Sequence, residues 1–361
     1  MKAVYIHIPF CKKICSYCDF CKVYYYKKWI KPYLISLQKE IRKRYQKEEI
    51  KTLYIGGGSP SSLTIKELVF LFKVIEDFNL SNDLEFTIEC NIEDMNEDKL
   101  ELFKQNKVNR LSFGVQSFNK KHLSFLGRTH TPEKVIKTIN LAQKKGFKNI
   151  NIDLIYGIPG QTLNDLLKDL KMVLILNITH LSCYCLMIED NTELSIFKEI
   201  KEEEDLQAKM YKLISKTLSS NGFNQYEISN FSKKGFKSKH NLVYWSNEYY
   251  YGFGLGAVSF LNKKRLENTK SLTNYLQVKY LKEEINLSNQ ELMENEMILG
   301  LRKIKGVSKK EFYKKYQRNI NDVFKIGFLI KEGNLIETKD SYYVPKRKMF
   351  LLNEILINFL N

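Results

Sequence analysis

Residues 5–21 read Tyr5-Ile-His-Ile-Pro-Phe-Cys11-Lys-Lys-Ile-Cys15-Ser-Tyr-Cys18-Asp-Phe-Cys21. Cys11, Cys15 and Cys18 form a C-x3-C-x2-C array, and Cys21 follows three residues later. Four of the chain's seven cysteines thus fall within eleven residues. Ala3–Ile8, just ahead of them, is a β-rich run ended by Pro9, the pattern of a buried strand with a loop at its C-terminal end. A strand that delivers a dense thiol loop begins a scaffold built around whatever the thiolates hold.

Outward from that loop, strand and helix patterns alternate. Residues 29–47 carry Ile30, Tyr33, Leu34, Leu37 and Ile41 at helical spacing, with a charged opposite face. Leu53-Tyr-Ile55 is a second strand, stopped by Gly56-Gly57-Gly58-Ser59-Pro60. Thr64 and Glu67 then form a capping box for a helix holding Leu68, Leu71, Phe72 and Ile75. Further strands are expected at Leu84–Glu89, Arg110–Gln116, Ile150–Ile155 and His180–Cys185. Helices are expected at 97–106, 119–125, 133–145, 163–176 and Glu202–Asn221. Six strand–helix repeats predict a parallel sheet with right-handed crossovers. Six falls short of the eight of a closed barrel. The expected fold is α/β: a partial (β/α)6 TIM-like barrel over residues 1–222, open on one side. Residues 223–284 form an aromatic, Gly-rich extension with the block His240-Asn-Leu-Val-Tyr-Trp245. Residues 285–361 read as a small winged-helix-like unit. Its helices lie near 289–304, 308–317 and 321–327, its hairpin pairs Leu329-Ile330, Leu335-Ile336 and Tyr342–Val344 around Gly333, and a last helix runs through Leu351–Phe359.

The chain of 361 residues is 43% hydrophobic, enough for a real core. Lys and Arg number 58 against 41 Asp and Glu, a formal charge of +17. That balance admits an acidic partner or peripheral contact with an anionic membrane surface. The lysines are scattered, however, and the bias is chiefly compositional. The winged shape serves docking as readily as DNA, so no nucleic-acid partner is expected. No run of about 18 apolar residues is present, so no transmembrane helix is expected. Lys12 and Lys13 break the first apolar run before it reaches signal-peptide length. Clustered cysteines without a secretory signal point to a reducing cytoplasm and to metal or redox chemistry.

Three thiolates on one short loop suit an iron–sulfur cubane and would leave one iron open for a substrate. Cys21 as a fourth ligand would close it. Zinc held by Cys11, Cys15, Cys18 and Cys21 is the competing reading, although structural zinc favours two separated pairs. Gly57, Gly58 and Ser59 end the second strand, Glu89 ends the third, Gln116 ends the fourth, and Asp153 lies in the fifth. All are expected on the rim that carries the cysteine loop, where barrels of this kind build their sites.

The array with Tyr17 before its third Cys, followed by Gly-Gly-Gly-Ser-Pro, resembles the radical S-adenosylmethionine superfamily. Tyr5–Cys11, Leu111-Ser-Phe-Gly-Val-Gln-Ser-Phe118, Asp153-Leu-Ile-Tyr-Gly-Ile-Pro-Gly-Gln-Thr162 and His240–Trp245 resemble the oxygen-independent coproporphyrinogen oxidase-like group, and within it the haem chaperone HemW family. The resemblance implies a 4Fe–4S cluster on Cys11, Cys15 and Cys18, with S-adenosylmethionine on its unique iron. It implies that Tyr5, Gly57, Gly58, Ser59, Glu89, Gln116, Arg128 and Asp153 surround the S-adenosylmethionine. Two functions follow from the group: a chaperone that binds haem and passes it to acceptor haemoproteins, or radical decarboxylation of coproporphyrinogen III in porphyrin biosynthesis. The chaperone is favoured by the start of the chain close to strand one, by Cys18-Asp19-Phe20 where the enzyme branch has a further Cys, and by His240 beside aromatics as a haem ligand. His7 is expected to support or pack rather than ligate. Ser59 replaces a common Thr and keeps its hydroxyl; Val258 stands where the family often has His. Cys21 is read as a bystander thiol. Monomer and homodimer both remain open.

Overall fold

The computed structural model describes residues 2–190, 192–196 and 203–360. β1 (Ala3–Ile8) runs into the cysteine loop, whose ends pair as β2 (Phe10–Cys11) and β3 (Val23–Tyr24), and then into α1 (Lys27–Arg44). β4 (Ile50–Gly57) leads to α2 (Ile65–Ile75), and β5 (Leu80–Asn91) to α3 (Glu97–Gln105). β6 (Arg110–Gln116) leads to α4 (Lys120–Phe125) and α5 (Pro132–Lys144), β7 (Asn149–Tyr156) to α6 (Leu163–Ile175), and β8 (His180–Cys185) to α7 (Glu204–Ser219). The expected start of α7 at Glu202 lies outside the described residues. The capping box of α2 forms as its sequence predicts: Glu67 N–H donates to Thr64 Oγ1 at 3.4 Å and Thr64 N–H to Glu67 Oε2 at 2.7 Å.

These six strands are parallel neighbours in the order of the chain, the expected partial barrel. The sheet then continues past both ends. β9 (Asn224–Gln225) and β10 (Asn230–Ser232) extend it antiparallel beside β8. After α8 (Lys239–Trp245), β11 (Tyr250–Phe253) adds a further parallel strand against β1. β12 (Val258–Leu261), β13 (Lys264–Asn268) and, after α9 (Leu272–Leu276), β14 (Leu281–Asn286) follow antiparallel. The order β14-β13-β12-β11-β1-β4-β5-β6-β7-β8-β10-β9 never closes on itself.

Successive strand residues face opposite sides, and here the two sides differ. Along β6, Leu111, Phe113 and Val115 join the apolar core beneath the helices. Arg110, Ser112, Gly114 and Gln116 face the barrel interior. Along β7, Ile150, Ile152 and Leu154 are core, while Asn151 and Asp153 face inward. Parallel register sets these inward side chains side by side: Glu89 opposite Ser112, Ser112 opposite Asn151, and Asp153 opposite Ser182.

The C-terminal part holds α10 (Asn289–Gly300), β15 (Val307–Ser308), α11 (Lys309–Tyr316), α12 (Ile320–Val323), α13 (Gly327–Lys331), β16 (Ile336–Glu337), β17 (Ser341–Tyr343) and α14 (Leu352–Leu356). β15, β17 and β16 make a three-stranded antiparallel sheet. Leu329-Ile330 is helical, in α13, and is not a hairpin strand. A short apolar run does not separate a strand from a buried helical turn. The hairpin turn lies later, where Thr338 N–H donates to the Ser341 carbonyl at 2.9 Å.

One buried carboxylate ties the barrel to its extension. Glu40 of α1 is fully buried and accepts from Gly254 N at 2.9 Å, Asn268 Nδ2 at 2.7 Å, Tyr275 Oη at 2.6 Å and Arg44 Nη1 at 2.6 Å. Its truncation strands four donors, one of them a cation. Glu40→Ala is therefore expected to destabilise the protein by about 3–5 kcal/mol, measured as a lowered urea midpoint at unchanged slope; a change under about 1 kcal/mol would show that these donors find other partners.

Candidate functional site

The cysteine loop is held over the barrel rim by backbone bonds. Val23 N–H donates to the Pro9 carbonyl and Tyr25 N–H to the Cys11 carbonyl, each at 2.8 Å. Ser16 Oγ donates to the Phe125 carbonyl at 2.9 Å, and Leu194 N–H to the Ser16 carbonyl at 3.0 Å. Beneath the loop lies a cavity of about 310 Å³. Its lining brings together Cys11, Cys15, Cys18, Gly57, Gly58, Ser59, Glu89, Gln116, Arg128 and Asp153, ten of the twelve residues singled out on the sequence. The other two, Tyr5 and His240, line an adjoining cavity of about 500 Å³ with His7, Cys21, Tyr244 and Val258. The two cavities share Phe20, Tyr54, Glu89 and Asn241 as wall.

The glycine turn makes room for its neighbours. A Cβ on Gly56 would lie 2.7 Å from Glu89 Cδ, one on Gly57 2.5 Å from the His7 ring, and one on Gly58 2.9 Å from Cys11 Sγ. The N–H groups of the turn are occupied within the protein. Gly57 donates to Glu89 Oε2 at 3.0 Å, Gly58 to the Ile8 carbonyl at 2.9 Å, and Ser59 to the Phe10 carbonyl at 3.0 Å. The latter two dock the start of the cysteine loop on β4. The Ser59 hydroxyl accepts from Asn91 Nδ2 at 2.9 Å.

Arg128 is 8% exposed and spans the rim. Nη1 donates to Asn91 Oδ1 at 2.9 Å and approaches Cys15 Sγ at 3.5 Å; Nη2 donates to the Gly114 carbonyl at 2.8 Å and to Glu93 at 3.3 Å. Its Nε is buried without a partner among the described residues. Gln116 sits at a register shift between β6 and β7 with φ +69°, a left-handed conformation that costs a non-glycine residue about 1–2 kcal/mol. Strain of this kind persists at sites where the surroundings fix it.

The two inward carboxylates are deeply placed. Glu89 accepts from Tyr54 Oη at 2.7 Å, and burial pushes its carboxyl up to about 7. Asp153 accepts from Asn151 Nδ2 at 2.8 Å and from Ser112 Oγ at 3.5 Å, and burial raises it too. Burial likewise pushes the Cys11 thiol up to about 12, with Cys18 and Cys15 adding to it. Thiolates crowded into this loop therefore need a cation to compensate them.

His240, on α8, is 1% exposed. Nδ1 meets Thr52 Oγ1 at 2.9 Å, Nε2 meets Tyr244 Oη at 2.9 Å, and the ring stacks on Tyr54 at 5.1 Å. Burial lowers its pKa to about 3, so the imidazole is neutral. His7 bonds Tyr5 Oη through Nδ1 at 3.0 Å and the Cys21 carbonyl through Nε2 at 2.6 Å, a supporting role as expected. The sequence did not single out Tyr54, Asn91, Arg110, Ser112 or Asn241, all of which line the main cavity. For Arg110 and Ser112 the available signal was the two-residue alternation leading to Gln116.

Comparison with known proteins meets this geometry. Residues 5–173 match the Radical SAM superfamily and residues 287–351 the HemN C-terminal domain. The chain is 38% identical to the heme chaperone HemW of Bacillus subtilis over 100% of this chain and 99% of that protein. It is 38% identical to the Lactococcus lactis protein of the same name, over 99% and 97%, and 31% identical to that of Escherichia coli, over 99% and 98%. The chain belongs to the HemW family of the radical SAM superfamily. Among solved structures, coproporphyrinogen III oxidase (HemN) from Escherichia coli superposes with a TM-score of 0.87 at 24% identity, covering 99% of this chain and 89% of that one. At that identity the likeness speaks for the fold.

Membership of the superfamily implies a 4Fe–4S cluster and S-adenosylmethionine. The residues of this HemW-family chain fit both. Among the described residues no three His, Cys, Asp or Glu side chains converge on one ion. In a cubane each cysteine takes a different iron, so Cys11, Cys15 and Cys18, which line one cavity with Glu89, Gln116, Arg128 and Asp153, need not meet at one point to hold it. No helix among the described residues is long and apolar enough to cross a membrane.

Glu89 generates a test. A carboxyl at about 7 when folded and about 4.3 when unfolded binds more protons in the folded state between those values. Its contribution to stability therefore falls as pH rises through that window and is lowest above it. The denaturation midpoint of the cluster-free protein is expected to fall less between about pH 5 and pH 7.5 in Glu89→Gln than in wild type; parallel pH profiles would refute the raised carboxyl.

Proposed function

We propose that this protein is a cytoplasmic haem chaperone that carries a 4Fe–4S cluster and S-adenosylmethionine, holds haem beside the cluster loop, and releases it to acceptor haemoproteins. The observation that carries the reading is the adjoining cavity. It opens next to the cysteine loop, its walls carry Tyr5, Tyr54, Tyr244, Tyr250 and Phe20, and His240 lies in it. Aromatic faces suit a porphyrin plane, and a neutral imidazole suits its iron. Full-length similarity to proteins named heme chaperone supports the same reading.

In this proposal Cys11, Cys15 and Cys18 hold the cluster. All three line the main cavity, while Cys21 lines the other and packs against Gly256. That separation supports three ligands and a bystander. Tyr5, Gly57, Gly58, Ser59, Glu89, Gln116, Arg128 and Asp153 are proposed to surround the S-adenosylmethionine. When bound, the cluster supplies an electron and an open iron. The protein's part is to shield, orient and compensate charge. His240 is the proposed haem ligand through Nε2, once the Tyr244 hydroxyl yields that nitrogen.

Two outcomes are expected. Cys11→Ala, Cys15→Ala and Cys18→Ala each lose the brown chromophore of anaerobic reconstitution, whereas Cys21→Ala keeps it; bleaching in Cys21→Ala would overturn the three-ligand set. In haem titrations followed at the Soret band, His240→Ala weakens binding by about tenfold or more and changes the spectrum, and Tyr244→Phe does not weaken it. An unchanged band in His240→Ala removes His240 as ligand. Conversion of coproporphyrinogen III to protoporphyrinogen by the same reduced protein with S-adenosylmethionine would replace the chaperone reading with the oxidase one.

A further inference from the structure

Arg110 is the first residue of β6, and its side chain enters the barrel interior. It is 2% exposed and among the largest fully buried side chains. It lines the main cavity together with Asn241, Ser112, Asn151 and Asp153, far along β6 from Gln116 at the rim. Its Nε is buried with no hydrogen-bond partner among the described residues. The carboxylates that share the cavity bond elsewhere: Glu89 to Tyr54 and Gly57, Asp153 to Asn151 and Ser112. They feel Arg110 only as a nearby charge.

A buried guanidinium without a direct ionic partner among the described residues carries a large desolvation cost. Buried polar groups lacking partners are rare enough that each calls for a reason. A counter-ion for Glu89 or Asp153 would be set in contact with one of them. Instead its planar fork of N–H donors, the geometry that matches a carboxylate, borders open space.

We propose that Arg110 is a carboxylate-binding residue at the floor of the barrel and receives a propionate of the bound haem. This rests on the haem reading above. The main cavity shares Tyr54, Glu89 and Asn241 with the aromatic one, so a porphyrin seated among the aromatics can send an acidic arm past that common wall. Haem would then be recognised at two points, the iron and one acid group, and its orientation fixed.

The test uses reconstituted full-length protein as wild type, Arg110→Lys and Arg110→Met, titrated with haem and with the iron(III) protoporphyrin dimethyl ester, whose acid groups are masked. Wild type is expected to prefer haem over the ester by about tenfold. Arg110→Met is expected to lose that preference by weakening haem alone, with Arg110→Lys between the two. Haem bound by wild type with no preference over the ester overturns the subsite and leaves the haem reading intact; no haem bound at all overturns both. S-adenosylmethionine, titrated into the same variants, separates the other source of a carboxylate. Weakened S-adenosylmethionine binding with unchanged haem binding would assign Arg110 to that ligand and overturn the proposal. The ligand-free thermal midpoint is the folding control. Removal of an uncompensated buried charge is expected to hold or raise it, whereas a lowered midpoint or failure to fold in both variants would mark Arg110 as a structural counter-ion and sink its role in binding.

Discussion

The structure depends on one constraint: the two faces of its parallel strands must be made of different chemistry. Outward residues such as Leu111, Phe113, Ile150 and Ile152 are buried beneath the helices and hold the sheet to them. Burial of one such side chain is worth about 1.5–3 kcal/mol, and the whole outer layer repeats it. Inward residues are Tyr54, Glu89, Arg110, Ser112, Asn151 and Asp153, which no apolar core could accept without partners. Register solves this by setting them side by side, so that Asn151 donates to Asp153 and to Ser112 while its oxygen accepts from His180 at 2.6 Å. Because the sheet never closes, this polar interior reaches a mouth instead of filling with side chains. A site is the consequence of an inner face too polar to be a core.

The cysteine loop needs the same sheet for its position. It has little regular structure of its own, and its chain direction is fixed by bonds to β4, to the turn after α4 and to the segment near Leu194. Three consecutive glycines let Glu89, His7 and Cys11 each come within contact of one backbone. A side chain at any of the three would displace a different part of the site. The glycine turn therefore works by clearance, and its N–H groups serve the fold.

Much of this was legible in the chain. The thiol array, the six strand–helix repeats and the polar strand ends name nine residues that share a cavity, and the family resemblance adds Arg128. What was not legible follows from physics that a pattern does not carry. Glu40 lies on the amphipathic α1 where a charged residue reads as solvated, yet it is buried because β11 and β13 cover it with donors. Arg110 opens its strand, a place where a charge usually meets water, and only its two-residue spacing from Gln116 marks it as inward. Tyr5 and His240 fall on a second cavity because β11 joins β1 and α8 packs across β4, pairings between residues far apart in sequence. Leu329-Ile330 failed as a strand because two apolar residues satisfy either period.

His7 links the walls of the two cavities through its hydrogen bonds. Burial lowers its pKa to about 4, so the ring is neutral and has one N–H. The Cys21 carbonyl can only accept, so that proton sits on Nε2, and Nδ1 must accept from the Tyr5 hydroxyl. The tautomer is thereby fixed, and with it a chain of bonds from Tyr5 in the aromatic cavity to the end of the cysteine loop. The His7 carbonyl accepts from Tyr33 Oη at 2.7 Å, and the Tyr33 hydroxyl oxygen in turn accepts from Leu255 N–H at 3.0 Å in the extension. Any shift of the cysteine loop must move the imidazole, and any shift of the extension must move its backbone. Tyr54 and Glu89 are wall to both cavities, so ligands held under the loop and among the aromatics would meet the same few side chains, the shortest path by which one site could bias the other.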